Sequence, residues 1–158
     1  MAAPTGTLNW NLNELAAAMC LTADEVRMYF TDGRRVSFLL ERRISREVIK
    51  GTLAASEGAG YDLICPNGLK WEVRSISRGG IYFCPSYMVG SGRSFEEKGF
   101  LNKLEEVEGY IVSDIEKFPN VPFWKIGKAT VLEWWKQRRL GGSSKVSRDA
   151  ALTLLRSM

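Results

Sequence analysis

Residues 61–75 read YDLICPNGLKWEVRS, and this stretch predicts two β-strands joined by a tight turn. Apolar and polar residues alternate on both sides of the turn at residues 66–68, which is the period of a half-buried strand. We therefore expect one strand at 61–65 and a second at 69–77.

The second of these strands places charged residues on one of its faces. Lys70, Glu72 and Arg74 are spaced two residues apart, so their side chains lie on the same side. Trp71 and Val73 alternate with them and point to the opposite face, which we expect to be buried.

The length of the turn decides whether the two acids of the hairpin can meet. A two-residue turn at Asn67-Gly68 pairs Leu63 with Glu72, which leaves Asp62 on the other face. A turn with an odd number of residues, or a β-bulge, brings the Asp62 and Glu72 side chains to the same face. The sequence permits both arrangements.

The same patterns predict the elements around the hairpin. Helices are expected at 11–20, 23–30, 41–55, 95–107, 129–139 and 148–157, and strands at 81–84, 110–115 and 123–126. Residues 140–147 are expected to be flexible. A helix, three meandering strands, a helix and a strand indicate an α/β (α+β) sandwich.

Composition limits the class of protein and the available chemistry. The chain has 158 residues, of which 45% are hydrophobic, 11% aromatic and 25% charged, which is typical of one globular domain and excludes a disordered chain. It contains no histidine, which excludes serine–histidine triads and histidine-ligated zinc. The three cysteines lack CxxC spacing, so neither a disulfide framework nor a zinc site is expected. The sequence has no signal or membrane-span pattern, and we expect a cytoplasmic protein.

Residues 41–138 resemble the PD-(D/E)XK, or restriction-endonuclease-like, nuclease superfamily. In that pattern an Asp precedes a short hairpin, and Glu-x-Lys follows on the next strand; Asp62 and Glu72 are ten residues apart, as in the family. Glu47 stands where many members carry a glutamate on a preceding helix, and residues 110–114 resemble the next core strand. The resemblance implies a mixed central sheet flanked by helices.

The resemblance also implies a metal-dependent reaction. Glu47, Asp62 and Glu72 would give oxygen ligands to one or two Mg²⁺ ions, with Mn²⁺ as a substitute and no organic cofactor. Arg74 occupies the position of the family's lysine, and an arginine stays protonated, so it can hold a phosphate but cannot act as a base. Lys70 on the same face is a candidate for the missing amine.

A structural role explains the same residues without any catalysis. In that interpretation Asp62 and Glu72 are ordinary surface residues of the two strands, and Arg74 forms an ion pair with one of them.

Residues 12–31 read as a helix-turn-helix segment. A capping box at Thr22–Glu25 starts its second helix, and Cys20 stands at the turn position that glycine usually holds. The second helix exposes Asp24 and Arg27, of which one is basic. Plain packing of two helices is the alternative to DNA contact here.

The net charge of +4 favours anionic partners only mildly, and the distribution of the basic residues is more informative. We expect an N-terminal helical segment at 1–40, a nuclease core at 41–139 and a basic, partly flexible tail at 140–158. The residues predicted to contact nucleic acid are Arg42, Arg43, Arg46, Arg93, Arg138, Arg139 and Lys145. Solvated helix faces are the alternative explanation for these charges.

An apolar stripe near the C-terminus contains Val131, Leu132, Trp134 and Trp135. Tryptophans at this density are usually part of the core, and a dimer surface is the alternative. A homodimer would suit cleavage of both strands of DNA, because two antiparallel strands require two sites related by a two-fold axis.

These observations lead to three hypotheses about function. The first is an Mg²⁺-dependent DNA endonuclease that works as a homodimer. The second is a non-catalytic DNA-binding protein on a nuclease fold that has lost its metal site. The third is a protein-interaction module, such as an inhibitor or an immunity protein.

Overall fold

In residues 2–56 and 58–158, which a computed structural model describes, a six-stranded mixed β-sheet carries three helices on each face. The strands are β1 Gly6–Asn9, β2 Thr52–Leu53, β3 Leu63–Ile64, β4 Lys70–Ile76, β5 Ile81–Tyr82, β6 Gly109–Asp114, β7 Asn120–Gly127 and β8 Lys145–Val146. The helices are α1 Leu12–Met19, α2 Ala23–Phe30, α3 Gly33–Glu47, α4 Glu97–Glu106, α5 Lys128–Lys136 and α6 Arg148–Arg156. This mixed α+β architecture confirms the predicted class.

The strand order across the large sheet is β1-β7-β6-β4-β3-β2. Strands β4 and β6 are parallel, with Trp71 opposite Gly109 and Ile76 opposite Asp114, and the other neighbouring pairs are antiparallel. Helix α4 lies in the connection between the two parallel strands, as such a crossover requires. Strands β5 and β8 form a separate two-stranded sheet.

Two hydrophobic cores lie on opposite faces of the sheet. Helices α1–α3 pack with one face, which includes Val73 of β4 and Ile111 of β6. Helices α4–α6 pack with the other face, which includes Tyr110 and Val112 of β6. Successive side chains of β6 point alternately into the two cores, so all six residues of this strand are buried.

The two N-terminal helices and the turn between them agree with the sequence prediction. Thr22 and Glu25 form the predicted capping box at the start of α2. Cys20 has φ 56°, the left-handed conformation that glycine adopts most easily at such a turn. The nearest side-chain nitrogen of Arg27 lies 3.4 Å from Asp24 on the same helix.

Helix α3 corrects the helix predicted at 41–55. The Asp32 side chain accepts a hydrogen bond from the Arg34 amide and caps the start of α3, so the Asp-Gly pair begins this helix. The helix ends at Glu47, and the chain then passes close to β3: a Cβ at Gly51 would lie 2.1 Å from a backbone carbonyl oxygen of that strand. The helix also runs through the expected domain boundary between residues 40 and 41.

The predicted order of helix, three antiparallel strands, helix and strand is present, but the three strands are β2, β3 and β4 and so begin earlier in the chain than predicted. The first strand of the three is β2, which had been predicted as helix. The strand predicted at 81–84 is shorter and pairs with β8 instead of extending the meander.

The C-terminal segment is part of the core, which corrects the prediction of flexibility at 140–147. Leu140 is fully buried, Val146 is 4% exposed, and β8 pairs with β5. Arg148 at the start of α6 forms an ion pair with buried Asp114, with 2.7 Å between Nη2 and Oδ2. The Asp114 carboxylate raises the pKa of the Arg148 guanidinium by accepting its hydrogen bonds.

The structure places the tryptophans of α5 in the core, which confirms the prediction for this stripe. Trp134 is 4% exposed. Trp135 is half-buried and packs against Phe95 and Phe100, with ring centroids 5.4 and 5.1 Å away. Across the described residues, none of the helices combines the length and the apolar character that a membrane crossing needs.

Candidate functional site

The hairpin between β3 and β4 has a turn with an odd number of residues. Leu63 pairs with Trp71, and the Cys65 amide donates to the Leu69 carbonyl oxygen at 2.8 Å, which leaves residues 66–68 as a three-residue loop. Gly68 supplies the left-handed conformation that such a loop needs, with φ +84°.

The odd loop brings the two acids of the hairpin together. Arg74 Nη1 lies 3.9 Å from Asp62 Oδ2 and 2.6 Å from Glu72 Oε1, so both carboxylates lie beside the same guanidinium. The Asp62 amide donates to the Trp71 carbonyl oxygen at 3.1 Å, and the Val73 amide donates to Asp62 Oδ2 at 2.8 Å. Strand β3 begins only at Leu63, and the Asp62 carboxylate accepts from the β4 amide in place of a backbone carbonyl of a longer β3.

The Asp62 carboxylate is in an unfavourable environment for its charge. Burial raises its pKa, and the nearby charge of Glu72 raises it further. The Val73 amide, Arg74 and Lys103 act in the opposite direction without cancelling these effects.

Glu72 is buried and carries a cation on each carboxylate oxygen. Its residue exposure is 4%, which corrects the interpretation of an ordinary surface residue. Oε1 lies 2.6 Å from Nη1 of Arg74, and Oε2 lies 2.6 Å from Nζ of Lys103 on α4. Lys103 also donates to the Gly60 carbonyl oxygen. The alternative in which Arg74 forms an ion pair with one of the acids is therefore present in this structure.

Arg74 is held in a fixed position by the backbone around it. Its guanidinium donates to the carbonyl oxygens of Tyr82 at 3.1 Å and Cys84 at 3.2 Å. Its Nη1 lies 3.9 Å from Asp62 Oδ2, so this cation stands between both acids.

Helix α3 brings Glu41, and not the predicted Glu47, towards Asp62. Burial raises the pKa of Glu41 from 4.5 to about 7, and the charge of Asp62 is the next largest cause. Glu47 instead pairs with Arg43 one turn earlier on α3, and the hydrogen bonds from Arg43 lower its pKa. The two glutamates are six residues apart, so they point to different faces of the helix.

Glu41 and Asp62 line a cleft of about 680 Å³, the acidic cleft. Ser37, Phe38, Glu41 and Arg42 of α3 line it together with Tyr61 and Asp62. Lys70, the amine expected from the sequence, is 4.8 Å from the Tyr61 ring centroid, whereas Lys103 is the lysine in contact with Glu72.

The basic residues predicted to contact nucleic acid lie in several places. Arg42 lines the cleft, and its guanidinium stacks 3.4 Å from the centroid of the Phe38 ring. Three others donate hydrogen bonds within the chain: Arg43 to Glu47, Arg93 to the Ser86 and Val89 carbonyl oxygens, and Arg139 to Ser157. The remaining three, all exposed, are Arg46, Arg138 and Lys145.

Two residues of the site were missed from the sequence. Glu41 was placed at the start of a helix, and its face becomes evident only when that helix begins at residue 33. Lys103 lies between Phe100 and Leu104 on the apolar stripe of α4, and a lysine on an apolar stripe is a signal that could have been used.

Among residues 2–56 and 58–158, no three His, Cys, Asp or Glu side chains form a group that could hold a metal ion. Glu41 and Asp62 remain as a pair of carboxylates in one cleft, and Glu72 is engaged by two cations. Comparison of the chain with protein-family models, with curated proteins and with solved structures finds no match.

Proposed function

We propose that this protein is an Mg²⁺-dependent nuclease that hydrolyses phosphodiester bonds of DNA on a restriction-endonuclease-like fold. The observation that carries the proposal is the hairpin with its odd-numbered loop, on which Arg74 lies 3.9 Å from Asp62 and 2.6 Å from Glu72, with Lys103 on the other oxygen of Glu72. The run of α3, β2, β3, β4, α4 and β6 supports it, because the elements follow in the order expected for this fold.

Asp62 and Glu41 are the residues that would hold the metal. Both are carboxylates with raised pKa values in the same cleft, and the charge of Asp62 is one cause of the raised pKa of Glu41. A divalent cation relieves such repulsion, and Mg²⁺ keeps several waters, so one or two carboxylates suffice. When bound, Mg²⁺ lowers the pKa of a coordinated water and neutralises charge that develops on a phosphate.

Glu72 acts on the cations of the site. By pairing with Arg74 and Lys103 it fixes both positive groups close to Asp62. Arg74 stays protonated and provides a permanent positive charge for an anionic substrate. Lys103, and not Lys70, takes the place of the family's lysine as the amine of the site.

A second function, DNA binding without cleavage, is favoured by one specific observation. Each oxygen of Glu72 lies 2.6 Å from a cation, so the charge of this carboxylate is already balanced within the protein. A chain that has exchanged its third metal ligand for an internal ion pair would keep the fold and the arginine of the cleft, Arg42, and would lose hydrolysis.

Cleavage of plasmid DNA tests the first function. We expect the purified protein to nick supercoiled plasmid, or to cut circular single-stranded DNA, in Mg²⁺ or Mn²⁺ and not in EDTA. Asp62→Asn keeps an oxygen for the Val73 amide and removes the charge, so this variant should fold and be inactive.

Two matched substitutions on α3 provide the control. Glu41→Gln should lose most of the activity, whereas Glu47→Gln should keep it, because Glu47 pairs with Arg43 outside the cleft. Full activity of Asp62→Asn rejects Asp62 as a metal ligand, and a wild-type protein that neither cleaves nor binds DNA rejects both functions. Inactive wild-type protein that binds DNA, with no Mn²⁺ binding that depends on Asp62, supports the second function.

A further inference from the structure

Phe38 is an exposed aromatic residue in the wall of the acidic cleft. It is 58% exposed, although large apolar side chains are normally covered in a folded domain. One face of its ring is covered by the Arg42 guanidinium at 3.4 Å, and both residues line the cleft with Glu41 and Asp62.

The position of Phe38 is set by the packing of α3. Phe38, Glu41 and Arg42 have i, i+3 and i+4 spacing and so share one face of the helix. The opposite face is anchored in the core, where Leu40 and Ile44 are fully buried. The exposed ring therefore cannot turn into the interior.

The chemistry of the cleft matches a ligand with a flat aromatic part and an anionic part. Phe38 offers a ring face, Arg42 offers a guanidinium beside it, and Tyr61 adds a second ring with the Lys70 amine 4.8 Å from its centroid. Stacked aromatic rings with nearby cations are how proteins bind single-stranded nucleic acid without reading its sequence.

We infer that the cleft binds unpaired nucleotides, with a base stacked on Phe38 and a phosphate held by Arg42; this inference rests on the proposed nuclease function. In a duplex the faces of each base are covered by its neighbours, so a ring in the protein can stack only on a base that has left the helix. The volume of about 680 Å³ lies in the range of sites that hold a small ligand and leaves room for a nucleotide. The substrate class is then single-stranded DNA, or a frayed or unpaired segment within a duplex.

Binding without hydrolysis tests this inference. Fluorescence anisotropy in EDTA would compare a labelled single strand of about 12 nucleotides, a length within the site sizes of strand-binding folds, with its duplex. We expect the wild-type protein to bind the single strand more tightly. Phe38→Ala should weaken that binding about 5- to 100-fold, the range of one stacking contact, and Phe38→Trp should preserve it.

Tyr29→Ala is the matched control, because Tyr29 is also exposed and carries an arginine, Arg35, over its ring, but it lies on α2. It should bind like the wild type. A strand of the same length with abasic sites carries the phosphates without bases. It should bind the wild type as weakly as the normal strand binds Phe38→Ala, and the variant should lose nothing further on it.

Equal binding of strand and duplex, or no effect of Phe38→Ala, overturns the inference; in the second case Phe38 is left as a contact for a protein partner. Equal losses in Phe38→Ala and Tyr29→Ala also overturn it. These results are separate from the fate of the nuclease, because stacking is measured in EDTA and cleavage is measured with the Asp62→Asn control.

Discussion

At the scale of single residues, Glu41 has the clearest dependence on pH. Burial and the charge of Asp62 raise its pKa from 4.5 to about 7, so the folded protein holds this proton more tightly than the unfolded chain does. The stabilisation that comes from the protonated form is complete below the unfolded pKa and is lost as the pH rises through the folded pKa.

We therefore predict that Glu41→Gln stabilises the protein above neutral pH. At about pH 8 the melting temperature should rise by roughly 2–4 °C, which corresponds to about 1 kcal/mol after screening by solvent. Near pH 4 the difference should vanish, because Glu41 is protonated in both states there. Thermal melts followed by circular dichroism across this range would measure the effect.

Glu47→Gln should show the opposite sign. Arg43 lowers the pKa of Glu47, so its charged form contributes stability above the unfolded pKa that is lost as the pH falls through the folded value. This variant should be slightly less stable at neutral pH. If both glutamine variants shift the melting temperature in the same direction, the assigned environments are wrong.

The Lys103–Glu72 ion pair gives a second prediction at this scale. Lys103→Met removes one of two cations from a carboxylate that is 4% exposed, and we expect a loss of about 3 kcal/mol in the free energy of unfolding. Urea denaturation would measure it. The double variant with Glu72→Gln should be less destabilised than Lys103→Met alone, and strictly additive effects would argue against the pairing.

At the scale of elements, regular periodicity was the part of the fold that the sequence predicted well. The two N-terminal helices, β3, β4, β6 and the three C-terminal helices follow from it within a few residues at their ends. The short strands β1, β2 and β8 did not, because they form only by pairing with β7, β3 and β5, which the local sequence does not show.

The site was predictable to the same extent. Asp62 and Glu72 were found because their spacing along the chain fixes them on one hairpin. Glu41 and Lys103 come from helices on opposite sides of the sheet. Their positions around Asp62 depend on tertiary packing, which spacing along one element cannot give.

The hairpin loop provides a prediction about an element. Gly68 has φ +84° and no atom within 4 Å of a Cβ built on it, so Gly68→Ala tests backbone conformation alone. We expect a loss of about 1 kcal/mol, the usual cost of a left-handed L-residue. Gly142 also has open space but no positive φ, so Gly142→Ala should be neutral or slightly stabilising. Equal effects of the two substitutions in urea denaturation would contradict this explanation.

At the scale of the whole molecule, the C-terminal residues complete a core instead of trailing from it. Leu155 is 2% exposed, and Leu155→Ala should cost about 2–5 kcal/mol in urea denaturation. Leu152 packs at the edge of the same core and is partly exposed, so Leu152→Ala should cost less. If neither substitution affects stability, the docking of α6 is wrong. The predicted homodimer stays a prediction, which sedimentation would decide.

One side of α3 belongs to the core and the other forms a wall of the cleft. This arrangement affects the rate at which a ligand can bind. The wall cannot swing outwards unless Leu40 and Ile44 leave their apolar surroundings. Any conformational change during binding must then occur in the ligand. The population of its binding-competent conformation then limits the association rate constant. The association rate constant should therefore depend on the flexibility of the ligand more than on conformational fluctuations of the cleft.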